Sequence, residues 1–382
     1  MRWEYTKLPL ALQTIFRQLA ARPWAKFSLD KVLAFWQIAL VQRGSCTVGR
    51  IVELGMDTLR GTLPPASADS GAVVTYDLAL ALDWEYDWDF VRVVAQRAEA
   101  LGLRTLIVGK NNLAGTLELL NVGRVRIRFL FDRATDAAHE FYALQRLVAE
   151  QGGEVLEPLE KLRWASDKAT MHLEFIANGL HTPFTIILPP FHSTEEVRLS
   201  VADLAHLGRP FVIKPANTTG GGIGVVEGAE TLQDVLEARQ EHRHDKYLLQ
   251  QKVVPLERDG KQFWFRGYYV CGLTQCAWWN DRTHVYQLLS AEEIARYELS
   301  PLFSIVEKIA TICRLRFFST EIALNQQGTF VVIDYVNELC DMRMQSCYAD
   351  GVPDELVDLI ATRLASYVRE FLDRGGAPPE AG

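Results

Sequence analysis

Several stretches of this chain hold charged residues inside runs that otherwise read as buried strand. Phe211-Val212-Ile213-Lys214-Pro215 leads into Ala216-Asn217-Thr218-Thr219-Gly220-Gly221-Gly222-Ile223-Gly224-Val225. A strand delivers a lysine, and a glycine-rich loop then leads to another strand. Glycines let backbone N–H groups approach phosphate oxygens with no Cβ in the way. Lys214 adds positive charge beside them. The order is not that of a Walker A loop, because the lysine precedes the glycines and no Gly-Lys-Ser/Thr follows. Taken alone, the loop could equally be a hairpin turn. Further on, Arg266 sits among Phe263, Trp264, Phe265, Tyr268 and Tyr269. A half-buried arginine needs an anionic partner, either a phosphate or an acid of this protein. Glu321 and Asp334 lie in the apolar runs 317–324 and 330–337, which read as a β-hairpin with one acid on each strand. Two buried carboxylates side by side are costly unless a cation lies between them. Asp, Glu and Asn oxygens are what Mg²⁺ prefers, with substrate phosphates completing its shell. The competing reading is that each acid ends its strand and faces water.

The elements that must position these residues alternate in kind. Val73 to Leu82, Arg104 to Val108 and Val125 to Phe131 read as strands, and Phe90–Leu101 and Leu113–Leu120 as helices. Asp136 is expected to cap a helix running to Glu150. Strands alternating with helices argue for a small open parallel sheet, whose ligands sit beyond the carboxyl ends of the strands. Asp83, Trp84, Glu85, Asp87 and Asp132 fall near such ends, where ordinary loop acids are also common. A helix at 166–180 capped by Ser166 or Asp167 follows, then a helix from Glu195 to Leu207 and a β-rich stretch to Val336 with helices near 230–241 and 300–314. The last helix spans about 354–372, and residues 373–382 read as a disordered tail. Residues 1–70 read as a helical extension, with Leu12, Ile15, Phe16 and Leu19 on one helix face, a second helix at 32–41 and a Pro/Ser/Gly linker at 63–71.

The chain has 382 residues, 48% of them hydrophobic, enough for two or three cores. Its formal net charge of −8 disfavours nucleic acid as a partner, and the basic residues are scattered. The cysteines Cys46, Cys271, Cys276, Cys313, Cys340 and Cys347 form no CxxC pair and read as reduced thiols. The N-terminus lacks the apolar stretch of a signal peptide, and no apolar run is long enough to span a bilayer. The expected location is cytoplasmic, with no membrane partner.

In this order and spacing, residues 154–345 resemble the ATP-grasp superfamily of carboxylate–amine ligases, and residues 71–153 resemble its preceding αβ domain. The resemblance implies an α/β chain, α+β in its C-terminal part: an ATP-grasp domain at 154–372 behind a small parallel-sheet domain at 71–153. It implies that Lys168, in Ser166-Asp167-Lys168, and Lys214 contact ATP phosphates. Thr218, Thr219, Gly220, Gly221, Gly222 and Gly224 match the phosphate lid. Gln250, Gln251, Lys252, Val253 and Val254 match the strand that holds adenine by backbone groups. Arg266 matches the arginine facing the γ-phosphate, and Glu321, Asp334 and Asn337 match the Mg²⁺ ligands. Arg282 is a further phosphate or substrate contact on the same grounds. Four departures stand out. Gln251 occupies a place often held by Glu, and Trp264 a place often held by an acid. Asp334 and Asn337 are separated by two residues instead of one, so either a bulge restores the register or Tyr335 takes a metal position. Arg343, in place of the usual Pro-Gly turn, is a candidate for binding a substrate carboxylate or phosphate.

The activity so implied is Mg-ATP-dependent joining of a carboxylate, as an acyl phosphate, to an amine, with Lys214, Arg266 and Arg343 as the catalytic residues. The substrates are then small molecules, a carboxylate and an amine. Asp83, Trp84, Glu85 and Trp88 are candidates for selecting the amine. The alternatives are a kinase of the same fold, and an ATP-binding module without turnover, which the Asp334/Asn337 spacing favours. By analogy alone, the chain could form a homodimer.

Overall fold

The computed structural model describes residues 73–192, 199–217 and 222–376. The expected N-terminal helices, the 63–71 linker, Cys46 and residues 377–382 of the tail lie outside this set. The first layer is built from β1 (Val74–Tyr76), β2 (Leu78–Leu82), β3 (Thr105–Val108), β4 (Val125–Ile127), β5 (Phe129–Arg133) and β6 (Glu154–Val155). The sheet runs β3-β2-β5-β6, all parallel, and β1 pairs with β4 in the same sense. All five residues of β2 are buried, as expected of a strand covered on both faces. Helix α1 (Trp88–Ala100) covers one face, while α2 (Lys110–Asn121) and α3 (Tyr142–Glu150) cover the other. The expected parallel sheet is present. Asp136, however, caps nothing: a 3₁₀ turn at His139–Phe141 precedes α3.

Two antiparallel sheets follow. Helices α4 (Leu159–Ser166) and α5 (Lys168–Ala177) lead into β7 (Thr185–Leu188), α6 (Val201–Leu207), β8 (Phe211–Pro215), β9 (Val226–Ala229), α7 (Leu232–Ala238) and β10 (Tyr247–Gln251). Their strands form a sheet in the order β7-β10-β8-β9. Helix α6 begins at Val201, where Ser200 closes a capping box with Asp203; residues 195–198 of the expected helix lie outside the described residues. A small hairpin, β11 (Glu257–Arg258) and β12 (Lys261–Gln262), precedes β13 (Trp264–Val270), β14 (Leu273–Trp279) and β15 (Tyr286–Leu288). Helices α8 (Ala291–Arg296) and α9 (Pro301–Cys313) connect to β16 (Phe317–Leu324) and β17 (Phe330–Asn337). This sheet runs β15-β14-β13-β16-β17, antiparallel throughout. Helix α10 (Asp354–Asp373) closes the chain and packs along α1. Cys271, Cys276, Cys313 and Cys340 are buried free thiols. Among the described residues, no helix is long and apolar enough to cross a membrane.

Candidate active site

The charged residues embedded in apolar strands meet in one row. On β13, β16 and β17, Arg266 is the register partner of Glu321, and Glu321 of Asp334. Arg266 donates to Glu321 Oε1 at 2.8 Å. Trp264, two residues back on the same strand face, points its indole N–H at the other oxygen, 3.4 Å away. The site where an acid was expected thus holds a donor that orients Glu321.

The second sheet supplies lysines. Along β8, Phe211 and Ile213 turn into an apolar core with Leu207 and Val235, so alternation sends Lys214 the other way. Its ammonium donates to Ile333 O at 2.9 Å and lies 3.8 Å from Asp334. Lys168 opens α5, where Asp167 caps the helix by accepting from Thr170 N at 2.9 Å. Lys168 N donates to Ala216 O at 3.1 Å, which ties this helix start to the end of β8. The Lys168 ammonium lies 3.9 Å from Asp334. Lys168, Lys214 and Arg266 therefore surround two carboxylates, all of them largely out of water.

Burial is the largest influence on the titration of Glu321, Asp334, Lys214 and Arg266. It raises the Glu321 carboxyl, helped by Asp334 and opposed by Arg266. Burial opposes Asp334 too, yet Lys168, Lys214 and Arg266 together hold it below its ordinary value. Burial lowers the Lys214 ammonium, with Lys168 adding to the effect. Desolvation also works against Arg266, but Glu321 keeps it charged with a pKa well above normal. The neighbouring environments thus push the two acids apart.

The spacing of Asp334 and Asn337 is resolved by backbone geometry. Opposite β16, the register shifts on both sides of Asp334: Ser319 pairs with Asn337, Glu321 with Asp334, and Ile322 with Val332. Three residues of β17 therefore span two of β16, which is a bulge. Asn337 stands opposite Ser319, on the face that also carries Glu321. The Tyr335 side chain is engaged elsewhere. It is buried, and its hydroxyl meets His172 Nδ1 at 2.8 Å and Gln250 Nε2 at 3.1 Å. Burial first, then the Lys214 charge, pushes His172 down to about 4, so the ring is neutral. Lys214 also lies over the Tyr335 ring, 5.4 Å from its centroid.

The remaining expectations divide. Gln250 turns its side chain inward to Tyr335, whereas Gln251 is exposed and Lys252, Val253 and Val254 run on beyond β10. Thr218, Thr219, Gly220 and Gly221 lie outside the described residues. The flanks of that loop are anchored. Asn217 donates its backbone N–H and side-chain amide to Asp245, at 2.8 and 3.0 Å. Gly222 and Gly224 both have φ of +75°, and a Cβ on Gly224 would meet the His242 ring at 2.9 Å. Arg343 is already engaged: its guanidinium is forked onto Asp341 and bonded to Asp350. A substrate anion there would have to displace two acids. The loop acids are likewise used internally. Asp83 pairs with Lys110, Asp87 with Arg133, and Asp132 accepts from Ala134 N, Thr135 N and Gln145. Trp88 packs against the core beside α10. Arg282 lies in the exposed turn after β14 and donates its backbone N–H to Asn280. Two residues carried no earlier signal, His172 and the half-buried Glu338, whose carboxyl is pushed up to about 7 by burial and by Asp136 and Asp334.

No family model and no curated protein matches the sequence. Solved structures do match. An ATP-grasp RimK domain protein from Sphaerobacter thermophilus is 21% identical, with a TM-score of 0.51 over 76% of this chain and 98% of that one. The D-alanine–D-alanine ligase of Bacillus anthracis, solved with ATP, is 13% identical, with a TM-score of 0.55 over 80% of this chain and 99% of that one. The D-cycloserine synthetase DcsG is 16% identical, with a TM-score of 0.50 over 76% and 99%. The chain has the ATP-grasp fold. At these identities the likeness extends to the fold, and the chemistry has to be argued from the residues themselves.

Proposed function

We infer that the chain is a Mg-ATP-dependent ligase that joins a carboxylate, activated as an acyl phosphate, to an amine. The observation that carries this reading is the convergence of Lys168, Lys214 and Arg266 on the pair Glu321 and Asp334. Three cations gathered on one pair of carboxylates form a cluster suited to the oxygens of a polyphosphate. Arg266 Nε is buried without a partner, a donor suited to an anionic oxygen.

The donor set also suits Mg²⁺. Glu321, Asp334 and Asn337 offer oxygen atoms, and among the described residues there is no cluster of three or more His, Cys, Asp and Glu that would cage a metal. Mg²⁺ is commonly held by one or two carboxylates with substrate phosphates and water. Once bound, it would neutralise phosphate charge. The protein's own groups do the rest. Lys168 and Lys214 hold phosphate oxygens from one wall of the crevice and Arg266 from the other. Because Lys214 is anchored on Ile333 O, little reorganisation accompanies charge transfer. The reading needs no nucleophilic side chain, since the substrate's own carboxylate and amine supply the nucleophiles. The bulge at Asp334 removes the irregular spacing that favoured a non-catalytic ATP-binding module.

The test is release of ADP and phosphate with Mg-ATP against pools of carboxylates and amines, followed by mass spectrometry. An acid–amine adduct is the expected product. A product heavier by one phosphoryl group would instead indicate a kinase. Lys214→Ala should lower turnover at least about tenfold, since a charge-assisted bond contributes roughly 1.5–3 kcal/mol. Unchanged turnover in that variant would overturn the assignment.

A further inference from the structure

Away from the cation-lined row, aromatic side chains gather just past the carboxyl end of β2. Trp84 and Tyr86 are 42% and 39% exposed. Their ring centroids are 5.2 Å apart, edge to face, and Tyr86 meets Tyr348 in the same manner at 5.6 Å. Tyr348 comes from the segment after β17, so the ridge joins both ends of the described chain. Its base is rigid. Asp87, one residue after Tyr86, is bonded twice to the buried Arg133, and Arg133 also donates to Cys340 O at 2.8 Å. The rings are thus held in place before any ligand arrives.

The charges around the ridge favour one sign of ligand. Lys110 is paired with Asp83, Arg92 with Asp89, and Arg343 with Asp341 and Asp350. Glu85, between the two exposed rings in sequence, adds a further negative charge. An anion approaching here would meet cations already committed to acids. Arg343 already lies over the Tyr348 ring, 5.4 Å from its centroid, so an ammonium group would meet the exposed Trp84 and Tyr86 rings within a negative field, the setting in which cation–π contacts form. The site is also well placed. Ligands of open parallel sheets bind beyond the strand ends, and Trp84 and Tyr86 lie just after the end of β2.

We propose that Trp84 and Tyr86, backed by Tyr348, dock the amine co-substrate, a primary ammonium carried on an apolar or aromatic skeleton. The term co-substrate rests on the ligase reading; the docking of a cation does not. The full chain is labelled at its indole nitrogens, and the Trp84 signal is assigned with Trp84→Phe. Phenethylammonium is then titrated, with 2-phenylethanol and phenylacetate as neutral and anionic counterparts. Phenethylammonium should shift the Trp84 signal saturably and the counterparts should not. Trp84→Ala and Tyr86→Ala, both at exposed positions, should each weaken phenethylammonium binding about fivefold, read by calorimetric titration. In turnover they should raise KM for the amine and leave KM for ATP unchanged. Equal shifts with all three probes, or a preference for phenylacetate, would overturn the proposal. A Trp84 signal that moves with protein concentration alone would also overturn it, marking the ridge as a contact between copies. ATP binding is titrated separately. Intact ATP binding without an ammonium response removes the ridge proposal only; an ammonium response without ATP binding removes the ligase reading and leaves a cation site.

Discussion

Glu338 directly follows Asn337 and gives nothing away in sequence, because its neighbours Asp136 and Lys168 come from distant parts of the chain. Burial first, and then Asp136 and Asp334, lift its carboxyl to about 7 from an ordinary 4.5, against the pull of Lys168. A raised folded-state value means that the fold favours the neutral acid. Its contribution to stability is complete below about 4.5 and is lost as pH rises through about 7. Glu338→Gln keeps the shape and cannot ionise. The variant should match the parent near pH 4.5 and become the more stable protein above pH 7. The gap should open by at most about 1.4 kcal/mol per pH unit within that window. Urea denaturation of both proteins across the range measures this, and a gap independent of pH would remove the assignment. The residues that were legible share one trait. Lys214, Arg266, Glu321 and Asp334 are each a charge inside an apolar strand, where burial without a partner is too costly to be accidental. Tyr335 and His172 were not legible, because a tyrosine and a histidine among apolar residues look like ordinary core, and the bond between them spans 163 positions.

At the scale of elements, the strands and long helices could be read because their apolar periods are long enough to stand out. Helix α4 was hidden because it stops at Ser166 and α5 starts at Lys168, so the two merge into one pattern. Helix α8 is a different case: Ser290 and Glu293 form a capping box that is visible as Ser-x-x-Glu, but the helix is only six residues long. The bulge in β17 is set by pairing with β16, and its only trace in sequence is the extra residue before Asn337. Arg133 ties the parallel sheet to the segment after β17 by donating to Cys340 O at 2.8 Å, and it is held by Asp87, the two side chains being 2% and 3% exposed. Replacing Asp87 by Asn strands a buried guanidinium charge. That should cost on the order of 3 kcal/mol, because an unpaired buried ion is far worse than a buried pair. Replacing both residues, as Asp87→Leu with Arg133→Met, should recover much of the loss. A double-mutant cycle followed by urea denaturation measures the coupling. A loss below about 1 kcal/mol for Asp87→Asn would show that the pair does not hold the loop.

At the scale of the whole molecule, the sequence divides more readily than the structure does. A break near residue 153 follows from the change from alternating strands and helices to a β-rich pattern. Yet a single apolar core contains Leu80 and Phe131 of the parallel sheet, Val94 of α1, Tyr268 of β13 and Leu364 of α10. Gly61–Gly382 accordingly forms one compact unit. Such packing cannot be read from periodicity, because an apolar stripe shows that a helix is covered and not what covers it. It has a measurable consequence. If α10 and α1 share a core with both the parallel sheet and the five-stranded sheet, neither part can lose its packing alone. Leu364 is fully buried, so Leu364→Ala should cost about 2–5 kcal/mol through lost burial and the cavity left behind. The loss should lower the melting of this unit as one transition, with calorimetric and van't Hoff enthalpies still in agreement. Two separated transitions, with only the later half of the chain destabilised, would show that the parallel sheet folds independently. The shared core would then be a contact between finished domains, and the crevice that gathers Lys168, Lys214, Arg266, Glu321 and Asp334 would keep its form without the sheet that carries the aromatic ridge.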